Sequence, residues 1–533
     1  MKRIVFLIVC CSLSYVLCAR TFVHPGLLHT AKDLQRIKRL VENQTDPAYA
    51  SYRILAADAK SSEHYRIRGP FQYISRAGQY GYTKTPCEND FNAAYYQALM
   101  WVITGKASHA DKSMEIIRGY AGRLEKIFDP DDALCAGLQG FMFVNAAELM
   151  RYTYTSKDHP NGWTDEDTKS VGRVLRTAFL PVLQTFIQAK PYANGNWGAS
   201  VYKMLIATAV FLDDEPLYNQ ALDLFYHSPD NGSLANYIAP DGQIQESGRD
   251  QAHCMLGIGC LSEMAQVAWN QGDDLFAALD NRIMKGMEYL SKYNLGYDVP
   301  FHVWKDKTGR YGNWTTLGES GRGVFRSVFE LTYNHYVYLK HIEMPYTQKV
   351  LGLIRPERQG FTCDNPGFGS LLFYLGKGYP MAKEGQIWEN PMQDWNGWTA
   401  SAVSWHAQGK QFLLCPPSLS ISKRGVRYDS SRYPFIAVKI SHLPSSHQGR
   451  WLRLSYSVNS APEYWTLDEK EGRRVDKDIY VFDIRKVRSN NHTPFSDRQE
   501  NVTIELNFGQ TNGEGVGIEW IRSVADLAEV KGK

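Results

Sequence analysis

The strongest constraint on the fold is a change in the spacing of apolar residues about two thirds of the way along the chain. From about residue 26 to 350, apolar residues recur at steps of three and four, the period of helices with one buried face. After about residue 360, short β-branched and aromatic runs alternate with turn-forming residues. Helices followed by a block of strands predict separate helical and all-β domains.

The helical part reads as successive helices joined by short polar links. The segment Asn92–Gly105 ends on a glycine suited to a helix C-terminus, and Leu212–Pro216 is typical of the link in a helical hairpin. Further helices are predicted over Ser113–Ile127, Gly140–Tyr154, Asp167–Gln188, Ser200–Leu212, Leu217–Tyr226, Gln251–Gln271, Asp274–Lys292 and Arg322–Lys340. Repeated hairpins predict an α/α toroid, an incomplete barrel whose inner-helix starts face a central groove.

The C-terminal part reads as an antiparallel β-sandwich. Strands are predicted over Gln411–Leu414, Phe435–Ile440, Trp451–Tyr456, Asp478–Phe482 and Val502–Asn507. The expected α+β organisation is a toroid domain over residues 20–355 and a sandwich domain over 356–533. The tryptophans at 388, 395, 398 and 405 suit either sugar stacking, which would make the domain carbohydrate-binding, or packing against the toroid.

The first 19 residues are typical of a secretory signal peptide. Lys2 and Arg3 precede the short apolar stretch Ile4–Cys18, so the mature chain is expected to start near Arg20 in a secreted or periplasmic protein. A lipid on Cys18, giving an anchored surface form, is the alternative. No later run reaches the ~18 apolar residues of a membrane helix, so no integral membrane segment is expected after signal removal.

Charge and cysteine usage exclude other classes of protein. Lys plus Arg number 59 against 56 for Asp plus Glu, and no long run of like charge occurs, so a nucleic-acid partner is not expected. Six of the nine cysteines follow the leader, scattered and without a CxxC pair. They predict buried free thiols and no zinc site, and no cofactor is expected.

Three clusters could carry chemistry. The first is the run Tyr192–Gly198, in which Asn194, Asn196 and Trp197 predict a turn between helices with outward amides. The ordinary alternative is a loop without function.

The second cluster lies just before a predicted helix. Glu246 precedes Arg249 and His253, which stand four residues apart and therefore on one helical face, while Ser247 or Asp250 could cap the helix. Polar groups at the start of an apolar helix suit the mouth of a groove. A solvated first turn is the alternative.

The third cluster runs from Arg322 to Tyr336. In one continuous helix, Arg326 and Tyr333 would lie two turns apart on one face, and the cation would lower the pKa of the phenol from about 10. Arg322 and Arg326 would repel each other until an anion bound between them. Core packing of the tyrosines is the alternative.

The motifs NxNW, ESGRDQxH and GRGxFRxxxExxYNHY, preceded by NAAYYxALMWxITG, resemble the alginate lyase superfamily of polysaccharide lyases with α/α toroid folds. The resemblance covers roughly residues 25–350. It implies a uronic-acid polymer, such as alginate or glucuronan, as the partner, cleaved by β-elimination. Because the chain has no acidic loop with calcium-ligand spacing, hydrogen-bond donors and cations are expected to neutralise the uronate instead of a metal.

The resemblance also implies residue roles. Asn196 and His253 would bind the acid group, and Tyr333, supported by Arg326, would protonate the departing O4. Either Tyr333 or His253 would be the base, for syn or anti elimination. Other residues are expected at the substrate, with Arg249 and Glu246 orienting His253; they are Arg249, Glu246, Asn194, Trp197, Arg322, Tyr311 and His335. Tyr311 is also the rival tyrosine.

Two other functions remain open at this stage. A glycoside hydrolase on the same toroid would need two carboxylates, for which Glu246, Asp250 and Glu319 are candidates. A non-catalytic glycan-binding protein would use the groove and the tryptophan-rich domain only to hold polysaccharide.

Overall fold

The computed structural model describes residues 20–189, 194–305 and 313–376, and most of the strand-rich part. In that part it describes residues 386–389, 398–400, 405–408, 411–414, 418–442, 451–458, 461–468, 473–476, 478–490, 492–495, 498–510 and 516–530. The predicted signal segment, Tyr311 and Cys415 lie outside these ranges, as do the side chains of the tryptophans at 388, 395, 398 and 405.

Helices dominate residues 20–376. The α-helices are α1 (Ala31–Glu42), α2 (Ala48–Ala57), α3 (Lys84–Thr104), α4 (Ala107–Arg123), α5 (Asp132–Leu134), α6 (Gly140–Thr153), α7 (Asp165–Val174), α8 (Leu180–Gln188), α9 (Gly195–Phe211), α10 (Glu215–His227), α11 (Leu234–Tyr237), α12 (Gln251–Asn270), α13 (Ala278–Asn294), α14 (Phe329–Asn334), α15 (Pro345–Ile354) and α16 (Gly369–Leu372). Helical turns of π type cover Cys135–Gln139, Leu175–Phe179 and His335–Leu339. Short 3₁₀ turns cover Ala59–Ser61, Gly78–Thr83, Gln245–Gly248, Leu275–Ala277, Ile484–Lys486 and Leu527–Val530.

The helices form an inner and an outer layer. Helices α3, α6, α9 and α12 are buried around most of their circumference and contact one another in that order along the chain. Helices α4, α10 and α13 have one apolar face and pack against the inner layer. A helix that is apolar all round must be enclosed, whereas an amphipathic one can face water. This is the two-layered α/α arrangement predicted from the sequence.

One described helical stretch, Asp132–Thr153, is long and apolar enough to cross a membrane. In its most apolar window 94% of the residues are buried inside the fold. Its composition therefore reflects its position in the inner layer.

Two predicted helix boundaries need correction. The run around Asn196 is the first turn of α9, which begins at Gly195, and not a separate turn. The helix predicted from Arg322 begins only at Phe329. Before it, Gly321 and Gly323 have φ of 75° and 77°, and the extended segment hydrogen-bonds across the start of α12. Arg322, Arg326 and Tyr333 therefore do not share one helical face.

The strands lie mainly in the C-terminal part. They are β1 (Tyr73–Ser75), β2 (Lys126–Phe128), β3 (Gln386–Glu389), β4 (Trp398–Ala400), β5 (Trp405–Gln408), β6 (Gln411–Leu414), β7 (Ser418–Asp429), β8 (Phe435–His442), β9 (Trp451–Val458), β10 (Ala461–Asp468), β11 (Arg473–Asp476), β12 (Ile479–Asp483), β13 (Arg498–Gln510) and β14 (Gly517–Val524).

Ten of the twelve described C-terminal strands build two five-stranded antiparallel sheets, and β5 and β6 pair with each other. The orders of the two sheets are β10-β9-β13-β7-β4 and β11-β12-β8-β14-β3. In the first, Ile504 pairs with Lys423 and Leu454; in the second, Val438 pairs with Tyr480 and Ile521. Alternate residues of both sheets enter one apolar core: Ile421, Tyr428, Ile504 and Leu506 from the first, and Ile436, Val438, Ile440 and Ile518 from the second. The predicted sandwich is confirmed.

The helical body extends beyond the predicted domain boundary at residue 355. Helix α16 packs against α1, α2 and α14. Ser51 donates to the Glu357 carbonyl over 2.8 Å, and Arg36 donates to the Leu372 carbonyl over 2.7 Å. Residues 356–375 therefore belong to the helical part, because the apolar side chains of α16 fill its core.

Cysteines at 87, 135, 254, 260 and 363 are buried free thiols, as predicted. Burial raises the pKa of each of them. Within the described residues they serve as small apolar side chains of the core.

A buried ion pair joins two inner helices. Lys203 of α9 donates to Glu263 of α12 over 2.7 Å, and the lysine side chain has no exposed surface. Asn365 donates to the other carboxylate oxygen over 2.6 Å. Removing one partner of such a pair leaves a charge in a low-dielectric interior.

We expect Lys203→Met to lower the free energy of unfolding by about 3 kcal/mol at neutral pH, because Glu263 would stay buried without its cation. Urea denaturation measures this. Burial already raises the pKa of Glu263, and losing the cation raises it further, so the deficit should shrink as the pH falls and the carboxyl takes up a proton. The control is Lys285→Met, which breaks the exposed pair with Asp280 and should change stability far less than Lys203→Met. Equal stabilities of Lys203→Met and the wild type would contradict the expectation.

Candidate active site

The first turns of α9 and α12 lie side by side. The Gly195 N–H donates to the Gln245 side chain over 3.0 Å. A Cβ at Gly195 would lie 2.3 Å from the ring of Tyr237, so only glycine permits this approach. The NxNW and ESGRDQxH runs, 50 residues apart in sequence, therefore form one site.

The carboxylate of Glu246 is the centre of this site. It is fully buried. Asn196 donates to it twice, from its side-chain Nδ2 over 2.6 Å and its backbone N–H over 3.2 Å. Tyr237 donates from its hydroxyl over 3.1 Å, and Arg249 from Nη1 over 2.9 Å. Four donors, one of them cationic, stabilise an ionised carboxylate.

His253 is held from both sides of its ring. Its Nδ1 lies 2.7 Å from Asp250 Oδ2, and Arg249 Nη2 lies 3.1 Å from its Nε2. Because a guanidinium only donates, Nε2 must accept, and Nδ1 carries the proton that Asp250 accepts. His253 is thus a neutral imidazole whose lone pair faces the arginine.

Asp250 both caps α12 and orients the histidine. Its Oδ1 accepts the His253 backbone N–H over 2.8 Å, as expected of an N-cap residue. Burial alone would raise the pKa of Asp250, but the hydrogen bonds from His253 and the charge of Arg249 hold it below the usual value. The carboxylate therefore stays ionised at neutral pH.

The structure brings together Asn196, Glu246, Arg249 and His253. The side chains of His253 and Arg249 are 36% and 27% exposed and reach solvent, whereas Glu246 lies beneath them. The Asn196 Oδ1 is buried without a hydrogen-bond partner within the described chain. The exposed face of the site thus offers a lone pair next to a positive charge, and the buried layer fixes both.

Tyr333 does not join this group. The hydroxyl of its neighbour Thr332 lies 2.9 Å from the hydroxyl of Ser262 in α12. Ser262 is nine residues beyond His253, which places it about 13 Å further along that helix. The Tyr333 ring is almost fully buried, with Arg355 5.4 Å from its centroid. Burial raises the pKa of Tyr333 to about 12, although Arg355 lowers it in part. The buried position of this phenol and its raised pKa both differ from those expected of the proton donor.

The two arginines of the third motif have other partners. Arg326 Nη1 donates to Asp364 over 2.8 Å, so the predicted support of Tyr333 by Arg326 is wrong. Arg322 lies over the Tyr293 ring at 4.1 Å and donates to the Tyr293 carbonyl. The predicted repulsion between Arg322 and Arg326 required both residues to lie in one helix, but that helix, α14, begins seven residues after Arg322.

His335 and Trp197 serve packing. His335 is buried, stacked on Phe276 at 3.7 Å and edge-on to Trp269, and burial lowers its pKa to about 4. The substrate contact expected of His335 stays a prediction, and the structure places its ring in the core. Trp197 is half-buried and stacks near Phe186. Asn194 is buried at the N-cap position of α9, and Tyr311 lies outside the described residues.

Sequence reasoning missed two contributors. The sequence predicts Asp250 as a helix cap or as a hydrolase carboxylate but not as the partner of the His253 ring, although the three-residue spacing permits that contact. Tyr237 ends the four-residue helix α11, and no pattern marks it. Its contact with Glu246 arises because the chain between them folds back.

Comparison with known proteins agrees with this architecture. Residues 39–298 match the family model for alginate lyase, a span that includes Asn196, Glu246, Arg249 and His253 but ends before Tyr333. No curated protein sequence matches the chain.

Solved structures resemble the chain at low identity. Alginate lyase A1-III from Sphingomonas species A1 is 14% identical, with 64% of this chain and 95% of that chain covered and a TM-score of 0.48. An alginate lyase from Bacteroides ovatus is 13% identical, with 66% and 100% covered and a TM-score of 0.46. The chondroitin AC lyase of Streptomyces coelicolor A3 is 8% identical, with 94% and 84% covered and a TM-score of 0.39.

The resemblance seen in the sequence motifs is thus confirmed over the region that holds the Glu246-centred site. Residues 39–298 match the alginate lyase family model, and the protein is a polysaccharide lyase.

Proposed function

We propose that the protein cleaves a uronic-acid polymer, alginate or a glucuronan-like chain, by metal-independent β-elimination that leaves a 4,5-unsaturated sugar. The observation that carries the proposal is the neutral His253 imidazole, oriented by Asp250, with its lone pair next to the Arg249 guanidinium. This pairing supplies a base and a carboxylate-binding cation at one point.

The chemistry requires both groups. The C5 proton of a uronate is weakly acidic because its removal adds negative charge beside a carboxylate. A cation on that carboxylate stabilises the developing charge. His253 Nε2 takes the C5 proton, the C–H electron pair forms the C4=C5 double bond, the C4–O4 bond breaks, and O4 leaves with a proton from an acid.

Arg249 also controls when the base is free. Its Nη2 donates to the lone pair of His253 Nε2. A substrate carboxylate competes for the same guanidinium, so its binding would release Nε2 next to C5. Asn196 donates one hydrogen of its side-chain amide to Glu246, and the second amide hydrogen can be donated to the substrate.

The electrostatics of the site support a metal-independent reaction and disfavour the hydrolase alternative. Glu246 is paired with Arg249, and Asp250 accepts the Nδ1 proton of His253, so both carboxylates are already engaged. A hydrolase needs one protonated carboxyl as its acid. The lowered pKa of Asp250 opposes its protonation, and Glu246 is fully buried with its oxygens already accepting four hydrogen bonds.

We further propose export, with residues 1–19 removed as a signal peptide and the chain secreted or periplasmic. The charged start and short apolar stretch support this. N-terminal sequencing of the mature protein from its host tests the cleavage near Arg20.

Digestion of alginate and of polyglucuronate should produce rising absorbance in the near ultraviolet on at least one of them, because elimination creates a double bond conjugated with the carboxylate. Reducing ends are counted in parallel, with and without a chelator. New reducing ends without absorbance would indicate a hydrolase, and binding without either product would indicate a glycan-binding protein.

His253→Ala should lower kcat by about 10²- to 10⁴-fold, the usual contribution of a general base. Asn196→Ala should lower the rate by about 10²-fold, since one charge-stabilising donor contributes ~3 kcal/mol.

Asp250→Asn should lower kcat more than it changes KM, because an amide in place of the Asp250 carboxylate no longer enforces the Nδ1–H tautomer of His253. Initial rates of absorbance increase measure all three.

The matched control for Asp250→Asn is Asp213→Asn, which removes a carboxylate 3.0 Å from His24 just beyond the far end of α9. It should leave kcat and KM unchanged. A kcat for Asp250→Asn equal to that of the control would show that the tautomer of His253 has no part in turnover.

Tyr333→Phe should retain most of the wild-type kcat, because its phenol is buried beside Arg355 and lies far along α12 from His253. Tyr311 is the rival tyrosine predicted from the sequence, so the kcat of Tyr311→Phe is measured for comparison. Loss of turnover in Tyr333→Phe, with an unchanged unfolding midpoint, would restore Tyr333 as the acid.

A further inference from the structure

Phe361 is a large apolar side chain that the fold leaves in water. It is 58% exposed, and it is the only phenylalanine or tryptophan among the exposed large apolar side chains that the structure describes. Exposing such a ring forgoes the stabilisation that its burial would contribute. Its neighbours Cys363, Asp364 and Phe368 are buried, so the exposure is confined to the tip of an otherwise enclosed segment.

The segment that carries Phe361 is anchored to three inner helices. Asn92 of α3 donates to the Thr362 carbonyl over 2.9 Å, and Lys203 of α9 donates to the Asp364 carbonyl over 2.9 Å. Asn365 donates to Glu263 of α12 over 2.6 Å. These bonds hold the segment across the interior of the helical layer and keep Phe361 in place.

Phe361 lies at the same end of the inner helices as the Glu246-centred site. Thr362, the next residue, is bound by Asn92 in the third turn of α3. Arg326, whose guanidinium lies 4.4 Å from the centre of the Phe361 ring, places its backbone N–H on the sulfur of Met255. Met255 is two residues beyond His253, in the first turns of α12.

Arg326 places hydrogen-bond donors beside the ring of Phe361. Nη1 is used by Asp364, which also balances its charge, and the ring of Phe361 covers one face of the guanidinium. In the part of the chain that the structure describes, its Nη2 and Nε have no hydrogen-bond partner, and the side chain is 17% exposed. A half-exposed aromatic face next to fixed N–H donors suits a sugar ring that carries a carboxylate or hydroxyls.

We propose that Phe361 and Arg326 form a substrate subsite, in which one uronate unit of the polymer stacks its C–H face on the open face of Phe361 and a neighbouring unit accepts hydrogen bonds from Arg326. The subsite rests on the proposed function and lies beside the unit cleaved at His253. It binds and positions the polymer and takes no part in proton transfer.

The expected signature is a change in KM with little change in kcat. Phe361→Ala should raise KM for the cleaved polymer about tenfold and change kcat by less than about threefold. Arg326→Gln should raise KM and also weaken its dependence on salt, since one cation facing an anionic chain is lost. Leu279→Ala is the matched control, because it removes an exposed apolar side chain on the outer helix α13 and should leave KM and kcat unchanged.

Binding without turnover gives an independent readout. In affinity gels containing alginate or polyglucuronate, His253→Ala should be retarded, and the double variant His253→Ala/Phe361→Ala should be retarded much less. Unchanged KM and unchanged retardation on loss of Phe361 would overturn the subsite, while wild-type absorbance would still uphold the lyase. Wild-type protein that yields no absorbance on any uronic polymer contradicts the proposed function, and retardation that still depends on Phe361 would then uphold the sugar-binding site alone.

Discussion

The site depends on one buried carboxylate. Glu246 has no exposed surface, and it gathers donors from α9, from α11 and from its own loop. An ionised carboxylate in the interior is stable only with such a set of donors. The same set positions Arg249, which in turn faces the lone pair of His253. The buried charge of Glu246 therefore fixes the positions of Arg249 and, through it, of His253, the two exposed groups of the site.

Two irregular segments pack against the inner helices. The segment before α14 crosses the start of α12, where the Gln251 N–H donates to the Ser320 carbonyl and the Gly318 N–H to the Ser247 carbonyl. The segment after α15 enters the interior and is tied there by Lys203 and Glu263. A layered helical body thus supplies rigid anchors, and the loops that it anchors carry Arg326 and Phe361.

Local patterns in the sequence predicted what depends on local geometry. The α3 helix ends at Gly105 because a left-handed residue is needed there, with φ of 70°, and Asp250 caps α12 because its side chain reaches the third N–H beyond it. Arg249 and His253 meet because a helical turn brings residues four apart together. The predicted pairing of Arg326 with Tyr333 was wrong because the helix begins only at Phe329, so Arg326 lies outside the periodicity that the pattern assumed.

The sequence by itself determined the two kinds of layer, the apolar inner helices, the sandwich strands and the residues of the Asn196 and His253 motifs, since each follows from periodicity or short spacing. Only the tertiary structure decided that Tyr237 reaches Glu246, that Arg326 belongs to Asp364 and Phe361, and that Tyr333 lies deep beside Arg355. These contacts join residues brought together by chain reversals and irregular crossings. Their partners are chosen by packing and by the need to pair buried charges, which no local spacing encodes.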